Sequence, residues 1–237
     1  MNCPLRSGGR AVWGPQAGEA PDGAPLESPI HMPFDELRNM PMPPIILASQ
    51  SPRRRQLLAQ AGVKDFTIVV PAVDECCDAS LSPAETVCAI SRRKALAVAE
   101  EASGALVIAA DTMVFLDNLR LGKPHSPEEA FYMMTDQNCS THQDLTGLTL
   151  TLAGRTETAA ESTAVTFRPL TDGEKWAYIR SGEPMDKAGA YGVQGQAALF
   201  IPAIAGDYFN VMGLPLHLLG RMLQGFGMDL LEGGGSQ

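Results

Sequence analysis

Nothing in this chain resembles a disulfide framework. Its five cysteines, Cys3, Cys76, Cys77, Cys88 and Cys139, are odd in number, include no CxxC and set two side by side. They read as reduced thiols, which places the chain in the cytoplasm. Four scattered histidines, His31, His125, His142 and His217, offer no zinc-type spacing. No apolar run reaches the roughly 20 residues of a membrane span. Positive charge is scarce too: 18 Lys and Arg against 27 Asp and Glu leave a net charge of −9, which argues against a broad nucleic-acid-binding surface. Two catalytic signatures are missing. The chain has no GxxxxGK[ST] phosphate loop and no GxSxG nucleophile elbow.

What is present organises into one unit. With 237 residues and 45% hydrophobic content, the chain can bury one sizeable core. Residues 1–43 are rich in Gly, Pro and small polar residues, without periodicity or an apolar leader, and are expected to be a disordered extension. Residues 227–237, ending in EGGGSQ, are expected to be a flexible tail. Between them strands and helices alternate. Strands are expected at 45–48, 66–73, 106–110 (continuing extended to 116), 145–152, 162–167 and 198–204. Helices are expected to open at Ser51-Pro52, Ser82-Pro83, Ser126-Pro127, Thr171 and Pro215, the first four on capping residues and the middle three with a glutamate three positions on. The expected fold is α/β, a mixed sheet flanked by helices, over residues 44–226.

The stretch IILASQSPRRRQLL (45–58) is a buried strand running into a helix. Acidic side chains normally favour a helix start, because its free N–H groups are positive. Here Arg53, Arg54 and Arg55 sit in the first turn. Such a site suits a polyphosphate; the alternative is that the arginines are solvated and one pairs with a distant carboxylate. Farther along, Lys94 falls on the apolar face of its helix with Val87, Ile90 and Val98. Asp74, Glu75 and Asp111 fall at expected strand ends, with Lys123 just beyond, where ligands of open α/β sheets collect. Carboxylates beside a cationic cradle suit metal-assisted phosphoryl chemistry.

These residues resemble the Maf family of nucleoside triphosphate pyrophosphatases. The matching motifs are LASQSPRR (47–54), Asp74-Glu75, Lys94-Ala95, Ala110-Asp111-Thr112, Gly122-Lys123-Pro124, SGEPMDKAGAYGVQG (181–195) and Gly213-Leu-Pro-Leu216, in family order. The resemblance implies cleavage of a nucleoside triphosphate between the α and β phosphates with a divalent metal, Mg²⁺ or Mn²⁺. It implies two lobes around a deep cleft (a Maf/inosine-triphosphatase-like fold) and a homodimer. It makes Asp111 the proton acceptor that activates water, and Glu75 and Asp111 the metal ligands. Ser49, Arg53, Arg54, Lys94 and Lys123 become phosphate contacts, and Arg54, Thr112 and Gln194 determinants of base choice. The AYGVQG form is similar to the branch acting on dTTP and UTP, whereas a branch acting on 7-methyl-GTP carries an acidic residue there. A glutamine amide offers one donor and one acceptor, a match for N3–H and O4 of thymine or uracil.

One stretch departs from the family pattern. Residues 136–146 read DQNCSTHQDLT where the family has Leu-Ser-Gly before a His-x-Val and a threonine. This is expected to be a feature of a lobe or rim. A different class of function, a nucleotide-binding regulator of cell division with little turnover, would show itself by loss of the catalytic Asp or Lys, and both are present.

Overall fold

The computed structural model describes residues 42–231, apart from Ala79 and Asn118. The extension expected over 1–43 lies, except for Met42 and Pro43, outside the described residues, as does the tail beyond Leu231. A seven-stranded mixed sheet runs β2-β1-β3-β5-β6-β7, with β4 paired to β3. Its strands are β1 (Ile45–Leu47), β2 (Thr67–Ile68), β3 (Leu106–Leu116), β4 (Leu119–Leu121), β5 (Thr141–Leu152), β6 (Arg155–Thr166) and β7 (Ala203–Ala205). The helices are α1 (Pro52–Gln60), α2 (Pro83–Ala99), α3 (Pro127–Asp136), α4 (Asp172–Arg180), α5 (Tyr208–Met212) and α6 (Leu216–Gly225). The expected mixed sheet flanked by helices is what forms. Among the described residues no helix is long and apolar enough to cross a membrane.

Helix starts follow local chemistry closely. Ser51, Ser82, Ser126 and Thr171 are N-caps whose side chains accept from the backbone three residues on. Ser82–Glu85 and Thr171–Glu174 close as full capping boxes. Glu129 instead reaches one residue further out, accepting from the His125 amide at 2.7 Å.

The central strand β3 sets the layers. Successive side chains alternate between faces. Leu106, Ile108, Ala110 and Val114 join the main core with Leu47, Leu57 and Leu58. Val107 and Ala109 pack on the other face against Ala95 and Val98 of α2, and Met113 and Phe115 against its Val87 and Ile90. Gly147 on β5 lets α2 lie close: a Cβ there would stand 2.2 Å from the Val87 carbonyl oxygen. No side chain fits, so helix and sheet meet backbone to backbone.

Several expectations shift. The strand expected at 66–73 shrinks to Thr67–Ile68, both exposed. The segment 198–204 is a 3₁₀ turn, Gln196–Phe200, followed by the short β7. Strands β5 and β6 run longer than expected and pair along their whole length, from Thr141↔Thr166 to Leu152↔Arg155. Past α6 the chain stays packed: Met228 is buried in the main core although it falls in the stretch expected to be a tail.

The altered stretch 136–146 is partly interior: Asp136, Thr141 and Gln143 are exposed, whereas Gln137, His142 and Asp144 turn into the core. Gln137 is fully buried, donating to the carbonyls of Met133 at 3.0 Å and Gly189 at 2.7 Å. His142 and Asp144 are buried beside Tyr191, whose hydroxyl lies 2.9 Å from both Asp144 oxygens and 3.1 Å from His142 Nε2. Burial raises the Asp144 carboxyl to about 8 and lowers the His142 imidazole to about 4. Both are therefore neutral near pH 7.

Candidate active site

The site begins where β1 stops. β1 pairs with β3 at 106–108 and β4 pairs with the same edge at 114–116, leaving 109–113 with no strand on that side among the described residues. Side chains from both faces of the sheet can reach this window. Asp111 and Thr112 occupy it. They were expected at a strand end; they lie in the middle of β3, and the interruption is in its neighbour instead.

Asp111 continues the odd-numbered set that faces α2, so it meets Lys94. The Lys94 ammonium sits 2.7 Å from Asp111 Oδ1 and 2.7 Å from Glu75 Oε1. The other Asp111 oxygen, Oδ2, is buried with no hydrogen-bond partner among the described residues. Partial burial works against charge on Glu75. The hydrogen bond and charge of Lys94, with Lys123 and Arg54 beyond, nevertheless hold its carboxyl below the usual range. Asp74 is drawn off into a local turn, its Oδ1 accepting from the Cys76 amide at 2.8 Å.

On the other face, Arg54 is the organiser. Its Nε donates to the Gly213 carbonyl at 2.7 Å, one terminal nitrogen to Ser49 Oγ at 3.2 Å and the other to Thr112 Oγ1 at 3.0 Å. Burial pulls its pKa down, opposed by Asp111 and then, past the like charge of Arg53, by Glu75; a guanidinium keeps its proton regardless. Three of its five N–H donors are thus committed to protein acceptors, and two remain. The Thr112 hydroxyl lies 2.9 Å from that of Thr146, which donates to the Asn210 carbonyl at 3.2 Å. Each hydroxyl has one proton, so the direction is fixed: Arg54 to Thr112 to Thr146 to Asn210.

The remaining expected residues sit nearer solvent. Arg53 is 3.8 Å from Asp186, so one arginine does pair with a carboxylate, at a length and exposure that hold it weakly. Lys123 and Gln194 are exposed, and Ser49 is buried, also accepting from the Ser51 amide at 3.2 Å. Thr146, Asn210 and Gly213 support the site without a role expected from the sequence; Gly213 lies in a family motif and Thr146 at the end of the altered stretch. A separate hollow of about 390 Å³, lined by Leu96, Gly104 and Gly154 among others, adjoins the start of β3 and contains none of these residues.

Comparison with known proteins identifies the family. The profile of the Maf-like protein family matches residues 44–226. The chain belongs to the Maf-like family. A protein of Symbiobacterium thermophilum named dTTP/UTP pyrophosphatase is 47% identical over 193 residues, covering 81% of this chain and 99% of its own. A Salinibacter ruber protein of the same name is 48% identical over 192 residues, 80% and 94% of the two chains. A third, from Bacillus pumilus, is 46% identical over 184 residues, 78% and 97%.

A divalent cation fits the Maf-like site. Among the described residues no three His, Cys, Asp or Glu side chains gather as a closed metal cage. Mg²⁺ needs none, since it commonly takes one or two carboxylates and fills its shell with water and substrate phosphates. Glu75 and the orphaned Asp111 oxygen would supply that pair.

Proposed function

We propose that this protein hydrolyses dTTP and UTP to the monophosphate and pyrophosphate in the cytoplasm, with a divalent cation held by Glu75 and Asp111. The observation that carries the reading is the Glu75–Lys94–Asp111 triad, with one Asp111 oxygen left open, across the same window from Arg54. The three named relatives support the choice of nucleotides.

The triphosphate tail lies over the start of α1, where Arg53, the spare Arg54 protons and free backbone N–H groups face it. Lys123 and the third proton of Lys94 add charge against the phosphates. Lys94 holds Asp111 by Oδ1, which leaves the two lone pairs of Oδ2, one toward the cation and the other to orient the attacking water and take its proton. The water oxygen bonds to the α phosphorus, the bond from that phosphorus to the bridging oxygen breaks, and pyrophosphate leaves. The bound cation supplies charge neutralisation on the phosphates and polarises the phosphoryl group. At the base end the Gln194 amide offers its donor and acceptor to O4 and N3–H. Thr112, its one proton spent on Thr146, can only accept.

The test is pyrophosphate release from dTTP and UTP with Mg²⁺ or Mn²⁺. Asp111→Asn keeps the side chain's size and should lose about 10²–10⁴-fold in rate while the protein stays folded, as read by circular dichroism. Full turnover in that variant removes Asp111 from its role.

A further inference from the structure

Gln194 stands exposed on a turn, and none of the described residues hydrogen-bonds its side chain. Its position therefore depends on what holds the backbone on either side. Two residues before it, the Gly192 amide donates to the Tyr178 hydroxyl at 3.1 Å. That hydroxyl donates in turn to Glu183 Oε1 at 2.9 Å. Two residues after it, the Gln196 amide donates to Glu183 Oε2 at 2.9 Å. One carboxylate thus ties both flanks of the turn, one of them through a buried tyrosine of α4.

The glycines of the turn serve this contact. A Cβ on Gly195 would stand 2.1 Å from Glu183 Oε1, and one on Gly192 would stand 2.5 Å from Lys187 Cε. Neither position has a left-handed φ; a side chain at Gly195 would displace the Glu183 carboxylate, and one at Gly192 would displace the Lys187 side chain that anchors Glu183. Glu183 is itself anchored, its carbonyl accepting from Lys187 Nζ at 2.6 Å and its amide donating to Ser181 Oγ at 3.2 Å. Burial and the bond to Glu183 keep the Tyr178 hydroxyl protonated, so both links persist across the working pH range.

We infer that Glu183, directly and through Tyr178, is a positioning residue for base recognition: it fixes the turn that presents Gln194 and so sets discrimination between nucleotides without touching one. The inference rests on the reading above that Gln194 meets the base. A merely structural Glu183 would affect all triphosphates alike.

Glu183→Gln separates the two. The variant keeps the volume but offers one acceptor oxygen where two donors converge, so one flank of the turn is released. The measurement is kcat and KM for UTP, CTP and GTP in the full-length protein with Mg²⁺. The expected result is a two- to tenfold fall in the preference for UTP, about the worth of one hydrogen bond, carried by KM for UTP with kcat little changed. Tyr178→Phe, which releases the Gly192 flank, should give the same pattern. In a Gln194→Ala background Glu183→Gln should change the preference no further, because it acts through that side chain. An equal loss for all three nucleotides, or an unchanged preference in both single variants while Gln194→Ala alters it, overturns the clamp. An unchanged preference in Gln194→Ala itself overturns base reading by Gln194, and the clamp with it.

Discussion

At the scale of single residues, the polar groups of this protein are defined by how completely their donors are used. Thr112 accepts from Arg54 and donates to Thr146, which donates to the Asn210 carbonyl. Thr112→Val breaks that line at its centre, leaving an Arg54 proton and the Thr146 oxygen without partners. It should cost about 1–3 kcal/mol in urea unfolding, with Thr112→Ser recovering most of it. Asp144 and His142 make a different kind of prediction. Asp144 titrates at about 8 folded and near 4 unfolded, so its contribution to stability is complete at low pH and lost as pH rises toward 8. His142 titrates at about 4 folded and near 6.5 unfolded, so its contribution is complete above 6.5 and lost as pH falls toward 4. The two slopes oppose one another below pH 6.5, and only Asp144 acts between 6.5 and 8. Across that upper window the pair should make the protein about 2 kcal/mol more stable on acidification. Asp144→Asn should flatten the profile there, as read by denaturant midpoints at each pH.

At the scale of elements, catalytic geometry depends on how closely a helix can approach a sheet. Lys94 reaches Asp111 because α2 lies on β5 without a side chain between them at Gly147. Gly147→Ala would place its methyl inside the Val87 backbone and lift the helix. Overpacking of this kind costs about 1–3 kcal/mol, and here it should also depress pyrophosphate release, since the ammonium moves with the helix. Activity and thermal stability measured together on Gly147→Ala test the link. The local signals of these elements were legible in the sequence: a serine before a proline with a glutamate three residues on marks a helix start wherever it occurs. Lys94 was legible as a charge on an apolar face. What escaped was set by distant partners. The place of Asp111 within β3 depends on where β1 ends, some sixty residues earlier in the chain. The 3₁₀ turn Gln196–Phe200 replaces an expected strand where Glu183 has captured the Gln196 amide. The interior setting of His142 and Asp144 follows from a hydroxyl on Tyr191, which no local pattern announces. Helix α5, only five residues long, carries too little periodicity to be recognised.

At the scale of the whole molecule, the candidate site is assembled from the β1–α1 junction, the segment holding Glu75, helix α2, strand β3 and the Gly213 turn, segments far apart in sequence. A ligand that bridges them should stabilise the folded state as a unit. A nonhydrolysable UTP analogue with Mg²⁺ at a hundred times its Kd is expected to add about 2.7 kcal/mol, and a chelator should remove most of that gain; thermal unfolding with and without each component measures it. The break in pairing along β3 has a further consequence. Unsatisfied strand edges invite foreign strands, which is how many sheet proteins come to aggregate. Here the bare segment is confined to residues 109–113, flanked by β1 on one side and β4 on the other. An intruding strand would find too short a run to zip against and a carboxylate at its centre, so the molecule keeps an interruption in its sheet without offering its neighbours a place to polymerise.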